Sequence, residues 1–112
     1  MTTDTRPSTT PEIIFVKKVL ADGNPCRKCQ DVEQRLQRGG WDRLISRVVV
    51  AEEANPDSEG MRIAREHGVD RAPFFVVHRA DGQPEIHTIF LRLVREVLEP
   101  LGQDIPADSI AA

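Results

Sequence analysis

No apolar run in this 112-residue chain approaches the ~18 residues needed to cross a bilayer. The first residues, Met1 to Pro11, also lack the apolar stretch of a secretory leader. A cytoplasmic location with no membrane partner is therefore expected. Basic charge is not in excess either: 15 basic and 18 acidic residues give a formal net charge of −3, leaving no basic field for nucleic acid. There is no internal repeat, and only two cysteines. In a reducing compartment such scarcity argues against a structural disulfide and for catalytic or metal-binding thiols. The length and a hydrophobic content of 39% suit one domain with a single modest core.

Both cysteines fall in Gly23-Asn24-Pro25-Cys26-Arg27-Lys28-Cys29-Gln30. Two cysteines placed at random in a chain of this length would show C-x-x-C spacing in only about 2% of cases. The spacing admits two chemistries. One is a pair cycling between dithiol and disulfide, and the other is half of a metal site completed by further ligands.

The rest reads as scaffold. Residues 1–11, rich in Thr, Ser and Pro, are expected to be a disordered tail. Ile13-Ile14-Phe15-Val16 is a β-branched and aromatic run suited to a strand buried on both faces, with Lys17 to Leu20 as its extension. Asp22-Gly23-Asn24-Pro25 is turn chemistry, and Pro25 is placed to open a helix at the cysteines. Cys29, Val32 and Leu36 form that helix's inner face until Gly39-Gly40 ends it. Leu44-Ile45 and Val48 to Ala51 predict a second strand. Asn55-Pro56 offers an N-cap and first-turn proline for a second helix, closed by Gly68. Phe74 to Val77 is a third strand. Asp81-Gly82 then predicts a two-residue hairpin turn into Glu85 to Thr88, which would set Val77 against Ile86. Phe90, Leu93, Val94, Val97, Leu98 and Leu101 repeat at helical spacing, with Pro100 as the expected end. Residues 102–112 read as a second tail. The order β-α-β-α-β-β-α predicts an α/β fold with a four-stranded mixed sheet and helices on both faces.

A first strand, C-x-x-C at a helix start, and a proline just ahead of a hairpin and terminal helix together resemble the thioredoxin-like superfamily in its short, glutaredoxin-sized form. The matching residues are Pro25 to Cys29 and Val69-Asp70-Arg71-Ala72-Pro73-Phe74-Phe75, and the resemblance spans roughly 12–101. It implies a thiol-disulfide oxidoreductase without a cofactor, acting as a monomer on protein disulfides. Its upstream reductant would be thioredoxin reductase or glutathione. It further implies a cis peptide bond before Pro73 and backbone groups of Ala72 that align an extended substrate. The chain departs from thioredoxins in its Arg-Lys dipeptide, in the lack of a tryptophan ahead of Cys26, and in Leu20 where they carry a buried aspartate. Bulky, apolar Thr88-Ile89-Phe90-Leu91 replaces the stretch with which glutaredoxins bind glutathione.

Helix geometry separates the two sulfurs. Cys26 at the N-terminus meets free N–H groups and the positive end of the helix dipole, which favour a thiolate. Cys29 lies one turn in on the apolar face, where burial disfavours ionisation. Cys26 is thus the candidate nucleophile and Cys29 the resolving thiol, with Pro25, Arg27 and Lys28 tuning the thiolate. Of the histidines, His67 suits a helix C-terminus, His78 is too far along its strand to join Cys26, and His87 suits a cross-strand role. A metal held by one chain is not expected. Two chains could pool four thiolates on a zinc ion or iron-sulfur cluster, and a fold kept only as a binding module is a further alternative. Asp22 and Asp31 are candidate proton acceptors for Cys29, with solvated surface roles as the simpler reading. Trp41, Phe74 and Phe75 read as core.

Arg27 and Lys28 add positive charge beside the attacking sulfur and so favour the reduced form. The couple should be more oxidising than the roughly −270 mV of thioredoxin, near the −200 to −230 mV of glutaredoxins. Equilibration against glutathione buffers measures it, and a potential below thioredoxin's would refute this role for the two cations.

Overall fold

Runs of β-branched and aromatic residues can be buried on both faces only in the middle of a sheet, and the chain places two of them there, Ile13 to Val16 and Phe74 to Val77. The computed structural model describes residues 11–79 and 82–103. Strand β1 (Glu12–Val19) pairs in parallel with β2 (Arg47–Glu52) and antiparallel with β3 (Phe74–His78), which pairs antiparallel with β4 (Glu85–His87). The strand order is β2-β1-β3-β4. Helix α1 (Arg27–Arg38) is the crossover between β1 and β2, and α2 (Glu59–His67) joins β2 to β3. Helix α3, residues 90–103, is made of three pieces: Phe90–Leu93, a π-helical turn over Val94–Leu98, and Glu99–Gln103.

Alternation along the strands divides the core in two. Ile13, Phe15, Phe75 and Val77 pack under Leu36 of α1 and Leu93, Val97 and Leu98 of α3. Ile14, Val16, Val49, Ala51, Phe74 and Val76 pack under Met61, Ile63 and Ala64 of α2. Phe15 and Phe75 stack with centroids 4.9 Å apart, and Phe90 lies 6.4 Å from both Phe75 and Trp41. This is the α/β, four-stranded mixed sheet with helices on both faces that the residue pattern predicts. Among the described residues no helix is long and apolar enough to cross a membrane.

Several local expectations need correction. Pro25 is not the first helical residue: it forms a bridge with Val19, and Cys26 is the N-cap. Leu44 lies in a 3-10 turn, Asp42–Leu44, and β2 starts only at Arg47; an apolar pair packs equally well from a turn. Asn55 does not cap α2. Its Oδ1 accepts the Asp57 N–H at 3.0 Å in a local turn, and Ser58 is the N-cap. The hairpin register is one residue off, with Val76 opposite Ile86 and Val77 opposite Glu85. Such a shift exchanges faces, so Ile86 packs on the α2 side. The reason is a connection longer than two residues, 79–84, of which Ala80 and Asp81 lie outside the described residues. Pro100 does not end the last helix. Its ring crowds the carbonyl four residues back and it offers no N–H. The helix widens instead, with Glu99 N–H donating to Val94 C=O, five residues back, and runs on through Gln103. The expected tails lie outside the described residues except Pro11, Gly102 and Gln103, the last two being helical.

Helix α2 approaches β2 so closely that only glycine fits at position 60. A Cβ there would lie 2.5 Å from the Val50 carbonyl carbon and against the Ala51 nitrogen. Neither backbone atom can move without shifting the sheet. Gly60→Ala is expected to destabilise the fold by about 3 kcal/mol, the upper part of the overpacking range. Urea unfolding tests this, and an unchanged midpoint would mean that α2 does not sit this close.

Candidate functional site

Backbone hydrogen bonds at the end of β1 build the site. Leu20 N–H donates to Asn24 C=O and Gly23 N–H to Leu20 C=O, both at 2.8 Å. Gly23 takes φ +88°, a conformation that costs glycine little. Asp22 fastens the same turn by accepting the backbone and side-chain N–H groups of Asn24 at 3.0 Å each. It is a turn residue here, engaged away from Cys29.

Lys18 holds both cysteines through its main chain. Its C=O accepts the Cys26 N–H at 3.1 Å, and its N–H donates to Cys29 Sγ at 3.4 Å. Cys26, half-buried, caps α1: its Sγ accepts the Cys29 N–H at 3.3 Å. Cys29 is 2% exposed. Burial pushes its thiol up to about 12 and the hydrogen-bonded Cys26 sulfur adds to the rise, while the Lys18 N–H opposes it. Both cysteines are free thiols.

Across from the helix start, the Ala72–Pro73 peptide bond is cis. An open groove of about 1030 Å³ runs between the two segments. Arg27, Lys28, Asp31 and Val32 line it from α1, Asp70 to Pro73 from the loop before β3, and Phe75, Thr88 and Phe90 from the β4 side. Four of the seven site residues expected from sequence, Arg27, Lys28, Ala72 and Pro73, thus share one groove. Cys26 and Cys29 stand at its α1 end by chain connectivity but are not among its lining residues, and Pro25 is held back against Val19.

Other contributors were not foreseen. Asp70 and Arg71 line the groove, although nothing but their place before Ala72-Pro73 marks them in the sequence. Glu53 accepts from Lys18 Nζ at 2.9 Å and from Ala21 N–H at 2.9 Å. Those two contacts hold its carboxyl below the usual carboxylate range. It thereby anchors the loop that delivers the cysteines. Asp31 pairs with Arg35 at 3.3 Å on the exposed side of α1, matching its solvated reading. His67 ends α2, His78 is exposed on β3, and His87 contacts Glu85 at 3.2 Å. Among the described residues no three His, Cys, Asp or Glu side chains converge as metal ligands.

Fold and site together define a four-stranded mixed α/β sheet with a C-x-x-C pair at the capping end of α1. Among solved structures the chain is similar to thioredoxin f2 of Chlamydomonas reinhardtii, with a TM-score of 0.47 and 14% identity, covering 81% of each chain. It is also similar to the long form of thioredoxin f from spinach chloroplast, with a TM-score of 0.43 and 14% identity, covering 85% of this chain and 70% of that one. No family model and no curated protein sequence matches it.

The two thiols should react very differently. A thiol near 12 is ionised to only ~1 part in 10,000 at pH 8, and Cys29 is also inaccessible. Iodoacetamide between pH 7 and 9 should label Cys26 and spare Cys29, as read by peptide mass mapping. Comparable labelling of both sulfurs would contradict the burial and hydrogen bonding described.

Proposed function

We propose that this chain is a thiol-disulfide oxidoreductase acting on protein disulfides through Cys26 and Cys29. The observation that carries the reading is the asymmetry of the pair: an accessible capping sulfur, and behind it by one helical turn a buried thiol held by Lys18 N–H. Only the accessible sulfur can meet a partner's disulfide. As thiolate it attacks one sulfur of that bond, forming a mixed disulfide and expelling the other sulfur as a thiolate that takes a proton. Cys29 then loses its proton and attacks Cys26 Sγ. The mixed disulfide breaks, the Cys26–Cys29 bond forms, and the second partner sulfur leaves as a thiol. Two electrons and two protons have moved from the pair to the partner.

Formation of the mixed disulfide removes the Cys26 sulfur as a hydrogen-bond partner that raises the Cys29 pKa. The resolving thiol is thus less hindered from ionising once the first step is complete. Ala72 and Pro73, across the groove, are the groups proposed to align the partner's chain. A thiol or dithiol reductant, of the kind that glutathione or thioredoxin reductase supplies, would return the pair to its free form. Pooling of thiolates on a metal between two chains suits the site poorly, since a sulfur 2% exposed is out of reach of a second chain.

Cys26→Ser should reduce insulin turnover with dithiothreitol to the uncatalysed rate. Cys29→Ser should instead accumulate a mixed disulfide with the substrate, visible on a non-reducing gel. Undiminished turnover by Cys26→Ser would overturn the assignment.

A further inference from the structure

The groove beside the cysteines is charged unlike the rest of the chain. The protein as a whole is acidic, with a net charge of −3, yet the first turn of α1 contains no acidic residue. Arg27 and Lys28 make no ion pair among the described residues, whereas the other cations near the groove have partners: Arg35 with Asp31 at 3.3 Å, and Arg71 with Asp70 at 3.9 Å. The two carboxylates in the groove are therefore compensated, and the two uncompensated charges are both positive. They stand next to the attacking sulfur, on the wall facing Ala72 and Pro73.

We propose that this groove selects disulfides borne on extended, acidic polypeptide segments, an inference that rests on the thiol-disulfide reading above. The floor, with Val32, Pro73, Phe75 and Phe90, accepts apolar side chains, so charge at the α1 wall is what discriminates. An extended chain advances about 3.3 Å per residue, which puts carboxylates within about two residues of the substrate cysteine in reach of Arg27 and Lys28. A polypeptide is the occupant, not a small anionic thiol compound. The groove's volume of about 1030 Å³ is at the upper limit of small-ligand sites. Next to its lining residues Thr88 and Phe90, Ile89 and Leu91 are 53% and 64% exposed, apolar surface that a longer chain covers and a tripeptide does not. Complementary charge at such a site acts mainly on encounter and on the choice of partner.

The test uses three disulfide-linked peptides, identical except for acidic, neutral or basic residues flanking the cysteine. Each oxidises the fully reduced protein in a single turnover. The acidic peptide should react about five- to twentyfold faster than the basic one at low salt, as two exposed ion pairs allow, and the ratio should approach unity near 1 M salt. In the Arg27→Gln/Lys28→Gln protein the same ratio should fall to about two or less at low salt. Failure to react with any of the three would remove the thiol-disulfide reading and this inference with it. Reaction with the neutral peptide but equal rates for acidic and basic ones would refute the inference alone. So would a preference that survives in the double variant, or glutathione disulfide reacting as fast as the acidic peptide.

Discussion

Both main-chain groups of one residue, Lys18, hold the cysteine pair. Its carbonyl takes the Cys26 N–H and its N–H reaches Cys29 Sγ. A backbone donor is fixed by the strand that carries it, so the partner offered to the Cys29 sulfur does not depend on a second side chain's rotamer. β1 is in turn, like β3, paired on both edges and packed on both faces. The cysteine pair is thus tied to the core through β1. The buried sulfur still has a hydrogen-bond partner, which a polar atom withdrawn from water requires.

The same strand organises what lies opposite. β3 pairs with β1 from Val16–Phe74 to Glu12–His78, so the residues just before Phe74, Ala72 and Pro73, emerge at the end of β1 from which the cysteines follow. The groove is a consequence of that register: α1 starts from one side of the strand end and the 70–73 loop arrives at the other. Its far wall comes from Phe90, which lies against the Phe75 and Trp41 rings, with Phe15 stacked on Phe75 behind it. The packing that holds α3 on the sheet and the packing that shapes the groove are one aromatic cluster.

Much of this was legible in the sequence because it depends on short-range chemistry. Ile13 to Val16 and Phe74 to Val77 are apolar without alternation, as strands buried on both faces must be. The turn at Asp22 to Pro25 marks the helix start at the cysteines, and Gly68 the end of α2. The errors lie where a longer-range choice decides. Asn55 and Ser58 are both good cap types, and the helix starts at Ser58, whose Oγ makes no bond to the helix and instead accepts the Glu52 N–H of β2, a contact between elements. Asp81-Gly82 is a strong turn signal, but the face that Ile86 must occupy outweighs it. Pro100 reads as a stop, yet Val97, Leu98 and Leu101 around it all pack on the core, and the helix passes it through a π turn. The contact from Lys18 to Cys29 could not be read at all, since any residue at position 18 other than proline supplies the same N–H. Glu53 was hidden for the related reason that folding alone brings it to the site.

The charges around the site follow the same division between local and tertiary causes. Cations in the first turn of a helix work against its dipole by about 0.3–1 kcal/mol each, and α1 begins with two, Arg27 and Lys28. Lys17 pairs with Glu33, Lys18 with Glu53 and Arg35 with Asp31, so acidic partners are not scarce nearby. Arg27 and Lys28 nonetheless have none among the described residues. Helix stability therefore gives no reason for them, and neither does packing, because both side chains are largely solvated. What distinguishes their position is that they flank the accessible sulfur and line the groove. Negative charge arriving there, first on a partner and then on the sulfur it leaves behind, would relieve an electrostatic penalty that the free protein bears.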